Sequence, residues 1–160
     1  MPEPMAERIR HIGTSIFTEM TALALEHQAI NLAQGFPDFA GPAFVKDAAS
    51  QAINSELNQY SPSSGIAPLR EAIARSWKRH TNLHLDSHSE ITVTAGATEA
   101  LMAAMLALIN PGDEVIIFEP FYDAYPPDVM LAGGVPRYVR LPEPHWTLPI
   151  ETLRAAITPK

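Results

Sequence analysis

An alternation of strand and helix patterns, beginning near residue 90, constrains this chain more than any other feature. Glu90 to Thr94 reads as a strand with Ile91 and Val93 on one face. Thr98 to Ile109 reads as a helix that is apolar nearly all round, a pattern that predicts burial. Asn110-Pro111-Gly112-Asp113 stops it. Glu114 to Phe118 is a continuous apolar strand, as expected where helices cover both faces. Pro127 to Ala132 reads as a short helix closed by Gly133-Gly134, Val135 to Leu141 as a strand, and Ile150 to Ile157 as a helix with Ile150, Leu153 and Ile157 aligned. Strands that alternate with helices predict a three-layer α/β fold, with a mostly parallel sheet flanked by helices.

The upstream part is organised differently. Ser15 to Glu26 carries a helical stripe of Ile16, Met20, Leu23 and Ala24. Ile30 to Ala33 is a short extended piece that runs into the turn-like Gly35-Phe36-Pro37-Asp38. Ala43 to Asn54 is a helix with Phe44, Ala48 and Ala52 on one face. Ala67 and Pro68 open another, since proline is permitted in a first turn. Its apolar stripe is Leu69, Ile73 and Trp77, and its wet face is Arg70, Glu71, Arg75, Lys78 and Arg79. The expected division is an amino-terminal arm and loop over 1–45 and a larger domain over 46–160. Most of the 15 prolines fall at the boundaries between these elements, where they break helices and ladders.

Composition excludes several classes. A net charge of −7 lacks the clustered basic face that nucleic acid requires, and it argues against an anionic membrane surface. With no cysteine there is no disulfide framework and no thiolate metal site. The start, MPEPMAERIRHIGTS, has no apolar core of a secretory signal. No stretch reaches the ~18 apolar residues of a membrane span. These features together suggest a cytoplasmic protein. A chain of this length can bury roughly 68–70% of its unfolded surface, enough for a real core.

Three segments could carry chemistry. TAGATEAL, 94 to 101, lies where a strand gives way to a helix. Gly96 and Ala97 allow close backbone approach, and the first amides of the following helix are a ready anion site, with the Thr98 hydroxyl beside them. A plain strand–turn–helix junction capped by Thr94 or Thr98 explains the same pattern. EPFYDAYP, 119 to 126, follows the apolar strand at the carboxyl edge of the sheet, where open α/β folds bind ligands. Phe121, Tyr122 and Tyr125 could there offer a flat face to a ring, or could simply pack a loop. NLAQGFPDF, 31 to 39, holds Gly35, which suits close approach or an ordinary turn.

His80, His84 and His88 recur every fourth residue, but Asn82, Asp86 and Ser87 end the helix near Thr81 and break the row, so no metal site is expected. His11, His27 and His145 are scattered.

Taken in order, with YSPSSGIAPLREAI at 60 to 73 between the first segment and the second, these motifs resemble the class I, fold-type I pyridoxal-phosphate-dependent aminotransferases, most closely the kynurenine and methionine aminotransferase group. The resemblance runs from about Ile12 to Lys160 and covers the amino-terminal portion of such an enzyme. It implies an amino-acid and a 2-oxo-acid substrate, pyridoxal 5'-phosphate as cofactor, and a homodimer with a shared active site. By position, Gly35 matches the glycine that helps hold the substrate carboxylate, and Phe17 an aromatic beside the substrate side chain. Gly96, Ala97 and Thr98 match the phosphate cradle, Tyr122 the aromatic stacked on the cofactor ring, and Tyr60 the tyrosine that reaches the neighbouring subunit's phosphate. A cysteine-conjugate β-lyase would share this half of the site. A non-catalytic fragment of such an enzyme is the other alternative.

The resemblance also implies what is missing. The only lysines are Lys46, Lys78 and Lys160, and none sits in the serine- and lysine-bearing context of the family's Schiff-base lysine. An activated lysine needs a desolvated or positively paired pocket, which a wet helix face does not supply. The family's Asn-Pro-x-x-Pro-x-Gly asparagine, its pyridine-pairing aspartate and its carboxylate-gripping arginine are absent as well. The expectation is that these residues lie beyond Lys160, and that this chain alone is inactive.

Overall fold

The computed structural model describes residues 5–10 and 12–160. His11 and residues 1–4 lie outside that description. In chain order the helices and strands are α1 (Ile16–Glu26), α2 (Ala43–Asn54), α3 (Ala67–Thr81), α4 (Gly96–Leu108), β1 (Glu114–Glu119), α5 (Tyr125–Leu131), β2 (Val135–Arg140) and α6 (Ile150–Ala156). A short 3-10 turn, Glu7–Ile9, precedes them. They form two units, one of residues 1–34 with 96–160 and one of residues 35–95.

The first unit is built around β1 and β2, which pair in parallel with Glu114 opposite Val135 and Glu119 opposite Arg140. A parallel pair cannot be closed by a tight turn, so the chain crosses over through α5. Helix α5 packs on both strands and on α4, and α6 packs on β2. Ile117, Val129 and Val139 form the buried core of this layer. Gly134 is required at the entry to β2, because a Cβ there would sit 2.9 Å from Ile109 Cγ2 and 3.0 Å from Val129 Cγ1. The Ser15 hydroxyl caps α1 by accepting from the Thr18 amide at 3.3 Å. Asn31 Nδ2 donates to Thr21 Oγ1 at 3.1 Å and ties the extended piece to α1.

The second unit holds α2, α3 and the segment 82–95. Pro68 opens α3, and Asn82 closes it in the left-handed region at φ 59°. The Glu71–Arg75 pair forms at 3.8 Å with both side chains mostly in solvent, so it contributes only a few tenths of a kcal/mol.

Three expectations need correction. Glu90 to Thr94 is not a strand: its ladder partner is missing among the described residues, and the Val93 amide donates instead to Ser64 O at 3.0 Å. Ile91 is nevertheless buried and Val93 half-buried while Thr92 is exposed, so the predicted facing survives. Arg70 is not on the wet face of α3. It is only 7% exposed, and its Nη1 donates to His88 O at 3.0 Å. Its stem covers apolar surface while its head ties down the following segment.

Helix α4, expected to be buried, has no buried residue, and Leu108 is 78% exposed. Strand β1 is likewise buried only at Ile117, with Phe118 40% exposed. Apolarity all round shows that a helix needs cover, not that this polypeptide supplies it.

Candidate functional site

The first unit brings two of the predicted segments together. Helix α4 starts at Gly96, whose φ of 84° belongs to the left-handed region where glycine carries no penalty. Among the described residues, a Cβ added there would meet nothing within 4 Å, so the Cβ position is open. Ala97 and Thr98 follow in the first turn and are exposed. The turn therefore lies at the positive end of a helix of 13 residues. Glu99 stands in the same turn and has an interaction of its own.

The loop between β1 and α5 carries the aromatic segment. Its rings do more than fill space. Tyr122 lies 6.0 Å from Phe17 of α1, with the ring planes tilted by 43°. On another side it meets Tyr125 edge-on, at 5.7 Å and 68°. Phe121 stacks on Tyr138 of β2 at 5.5 Å and 26°. The Tyr125 amide donates to Tyr122 O at 3.1 Å and closes the turn. Tyr122 itself stays 45% exposed.

A cavity of about 540 Å³ opens here, lined by the 12–17 segment including Phe17, by Phe121 and Tyr122, and by Met130 and Tyr138. A second, of about 450 Å³, is shared by Leu101 and Met105 of α4, by β1, and by Tyr122 and Tyr125. Both fall in the size range of small-molecule sites, and both are walled largely by apolar and aromatic groups. Phe121 and Tyr122 line both cavities, on the Phe17 side and on the α4 side.

Gly35 and Tyr60 belong to the second unit. Gly35 is exposed, and a Cβ there would meet nothing within 4 Å. Tyr60 is fully exposed. Lys46, Lys78 and Lys160 are exposed, so none has the desolvated setting of an activated amine. Among the described residues no three histidines or carboxylates are placed to hold a metal, and α3 ends at Thr81 as expected. Asp86 is engaged otherwise: it accepts from the Ser89 hydroxyl at 2.5 Å and the His88 amide at 2.9 Å, which hold its carboxyl below the usual range. Among the described residues, no helix is long and apolar enough to cross a membrane.

Two features of the first unit escaped the sequence. Tyr138 lines the Phe17 cavity from a strand whose pattern gave no hint of it. Asp128 is 6% exposed in α5, and its Oδ2 has no hydrogen-bond partner among the described residues. Burial pushes its carboxyl above the usual carboxylate range. Only the short apolar spacing around it, in Pro127-Asp128-Val129-Met130, could have signalled an acid on a buried face.

The family model for aminotransferase class I and II matches residues 27–160. The methionine aminotransferase of Escherichia coli is 46% identical over 151 residues, which are 94% of this chain and 39% of that protein. A probable N-succinyldiaminopimelate aminotransferase of Mycobacterium tuberculosis is 47% identical over 155 residues, 96% of this chain and 39% of that protein. A crystal structure of an Escherichia coli protein with methionine aminotransferase function superposes with a TM-score of 0.91 at 45% identity, covering 98% of this chain and 41% of that one. The chain thus spans about two-fifths of the length of the relatives it matches.

Proposed function

The chain belongs to the class I and II aminotransferases, and from that premise we propose that it supplies the phosphate-holding and ring-stacking half of a site that transfers an amino group from an amino acid to a 2-oxo acid. The observation that carries this reading is the pairing, in one unit, of an open helix start at Gly96 with a half-exposed aromatic at Tyr122.

The residues present fit the phosphate and ring of pyridoxal 5'-phosphate. The open backbone at Gly96 leaves room for a phosphate, and the amides of Ala97 and Thr98 would hold it with the Thr98 hydroxyl. Tyr122 would stack on the pyridine ring. When bound, the cofactor supplies an aldehyde to receive the amino group and a ring that acts as electron sink. The chain's own residues bind and orient. Phe17 and the walls of the 540 Å³ cavity favour a large or apolar substrate side chain. Gly35 would hold the substrate carboxylate through its backbone.

No lysine of this chain is set to move the proton. The reading therefore assigns that step to residues of the complete site, and this chain alone would be inactive. Substrates such as methionine or an aromatic amino acid suit the cavity. The exposure of Tyr60 supports a role toward a second subunit's phosphate, and hence a homodimer with a shared site. We also assign residues 1–45 to an arm and 46–160 to the cofactor-binding domain, in a cytoplasmic protein. A β-lyase is not favoured, since the relatives compared are aminotransferases.

Equilibrium dialysis of pyridoxal phosphate tests the proposal. Tyr122→Ala should weaken retention by about 2- to 12-fold, the equivalent of one aromatic pair. Thr98→Pro should weaken it more than Thr98→Ala, because proline removes the backbone donor while the first turn still tolerates it. Unchanged retention in both Tyr122→Ala and Thr98→Pro would remove the site from this part of the chain.

A further inference from the structure

We propose that Tyr125 is a positioning residue: its ring edge, with Phe17 on another side, fixes the plane in which Tyr122 is presented to the cofactor. This rests on the stacking role assigned to Tyr122 above. A tyrosine on a loop, 45% exposed, can rotate about two side-chain bonds, and a ring that turns cannot hold a flat partner in one orientation. Here the ring is bracketed. Tyr125 meets it at 5.7 Å and 68°, the edge-on geometry that a ring quadrupole favours. Phe17 meets it at 6.0 Å and 43°.

The bracket is itself anchored. Tyr125 is the first residue of α5, and the next two, Pro126 and Pro127, have backbone torsions restricted by their rings. Pro126 and Val129 are buried, which seats the start of α5 on its neighbours. On the other flank Phe121 stacks on Tyr138, so the loop is pinned immediately before Tyr122 as well as after it. The Tyr125 amide donates a hydrogen bond to Tyr122 O, which ties the backbones that carry the two rings. The outcome is a ring held along two directions and still open to solvent over much of its surface. Tyr125 half-buries itself in doing so and need not touch the cofactor.

The test uses the intact chain with pyridoxal phosphate as probe. Its readouts are the dissociation constant and the circular dichroism induced in the cofactor's near-visible band, which reports a fixed orientation. Tyr125→Phe keeps the ring and should preserve both. Tyr125→Leu and Tyr125→Met keep apolar bulk without a flat edge. They should raise the dissociation constant by about 2- to 12-fold, the range of one aromatic pair, and lose most of the induced band. A purely structural role would lower thermal stability without separating the phenylalanine variant from the other two in the induced band.

In the unmodified chain, Overhauser contacts between the Tyr125 and Tyr122 rings should persist when the probe is added. Their disappearance would overturn the proposal even if the variants fail to fold. Should Tyr122→Ala matter while both Tyr125→Leu and Tyr125→Met leave affinity and induced band intact, the positioning role falls and the stacking role stands. Should Tyr122→Ala prove silent, both fall.

Discussion

Asp128 occupies the first turn of α5, buried, with Oδ2 unpaired among the described residues. A buried carboxylate without a donor costs free energy in its charged form, and burial accordingly raises its proton affinity in the fold. The sign follows. The folded chain holds this proton more tightly than the unfolded chain does, so the group favours folding at low pH. That contribution is lost as pH rises through the raised folded value. Asp128→Ala should therefore be more stable than the parent at pH 7 to 8, by about 1–2 kcal/mol. The gain is the relief of an unsatisfied buried group less the loss of an acid near a helix start. Thermal melts should show the gap closing as pH falls into the usual carboxylate range. A gap that stays constant with pH, or reverses, would mean that Asp128 has a partner at neutral pH.

At the scale of elements, one polar cluster ties the ends of the parallel pair to the chain beyond α6. Glu114 Oε1 pairs with Arg137 Nη2 across β1 and β2, and Glu114 Oε2 accepts from the Thr158 hydroxyl at 2.7 Å. The Arg137 hydrogen bond, with the Thr158 hydroxyl second, holds the Glu114 carboxyl below the usual glutamate range. A depressed folded value stabilises the fold above the unfolded value, and this is lost as pH falls through the folded one. Glu114→Gln should lower the melting temperature at pH 7, and the loss should shrink in acid. Equal melting temperatures at every pH would show that the pair contributes nothing.

Elements of this kind were only partly legible beforehand. Helix α2 has the predicted bounds, and α3, α6 and both strands are within two residues, because proline, glycine and periodicity act locally. Arg70 and the 90–94 segment were misread because their states depend on distant partners, His88 O for one and a ladder strand for the other. The site divides the same way. Gly96 and Tyr122 were visible as motifs, whereas the rings of Tyr125, Phe17 and Tyr138 around them became meaningful only through the fold.

Over the whole molecule, many large apolar side chains are exposed, those of α4 among them. Leu106 is 58% exposed and Leu108 78% on α4, a helix with no polar face to turn toward water. Isolated exposed leucines are ordinary, but a helix apolar on all sides and buried on none is not. Such a surface should bind an apolar dye. The chain should enhance and blue-shift the emission of anilinonaphthalene sulfonate at neutral pH, with its far-ultraviolet helical signal intact. Replacing both Leu106 and Leu108 by lysine, a good helix former, should keep that helical signal and lower the dye emission. The same double change on the wet face of α3, at Glu71 and Arg75, should leave the emission where it was. If the parent chain binds no more dye than a compact protein of equal mass, or if the α4 substitutions do not reduce binding, then α4 is covered in solution.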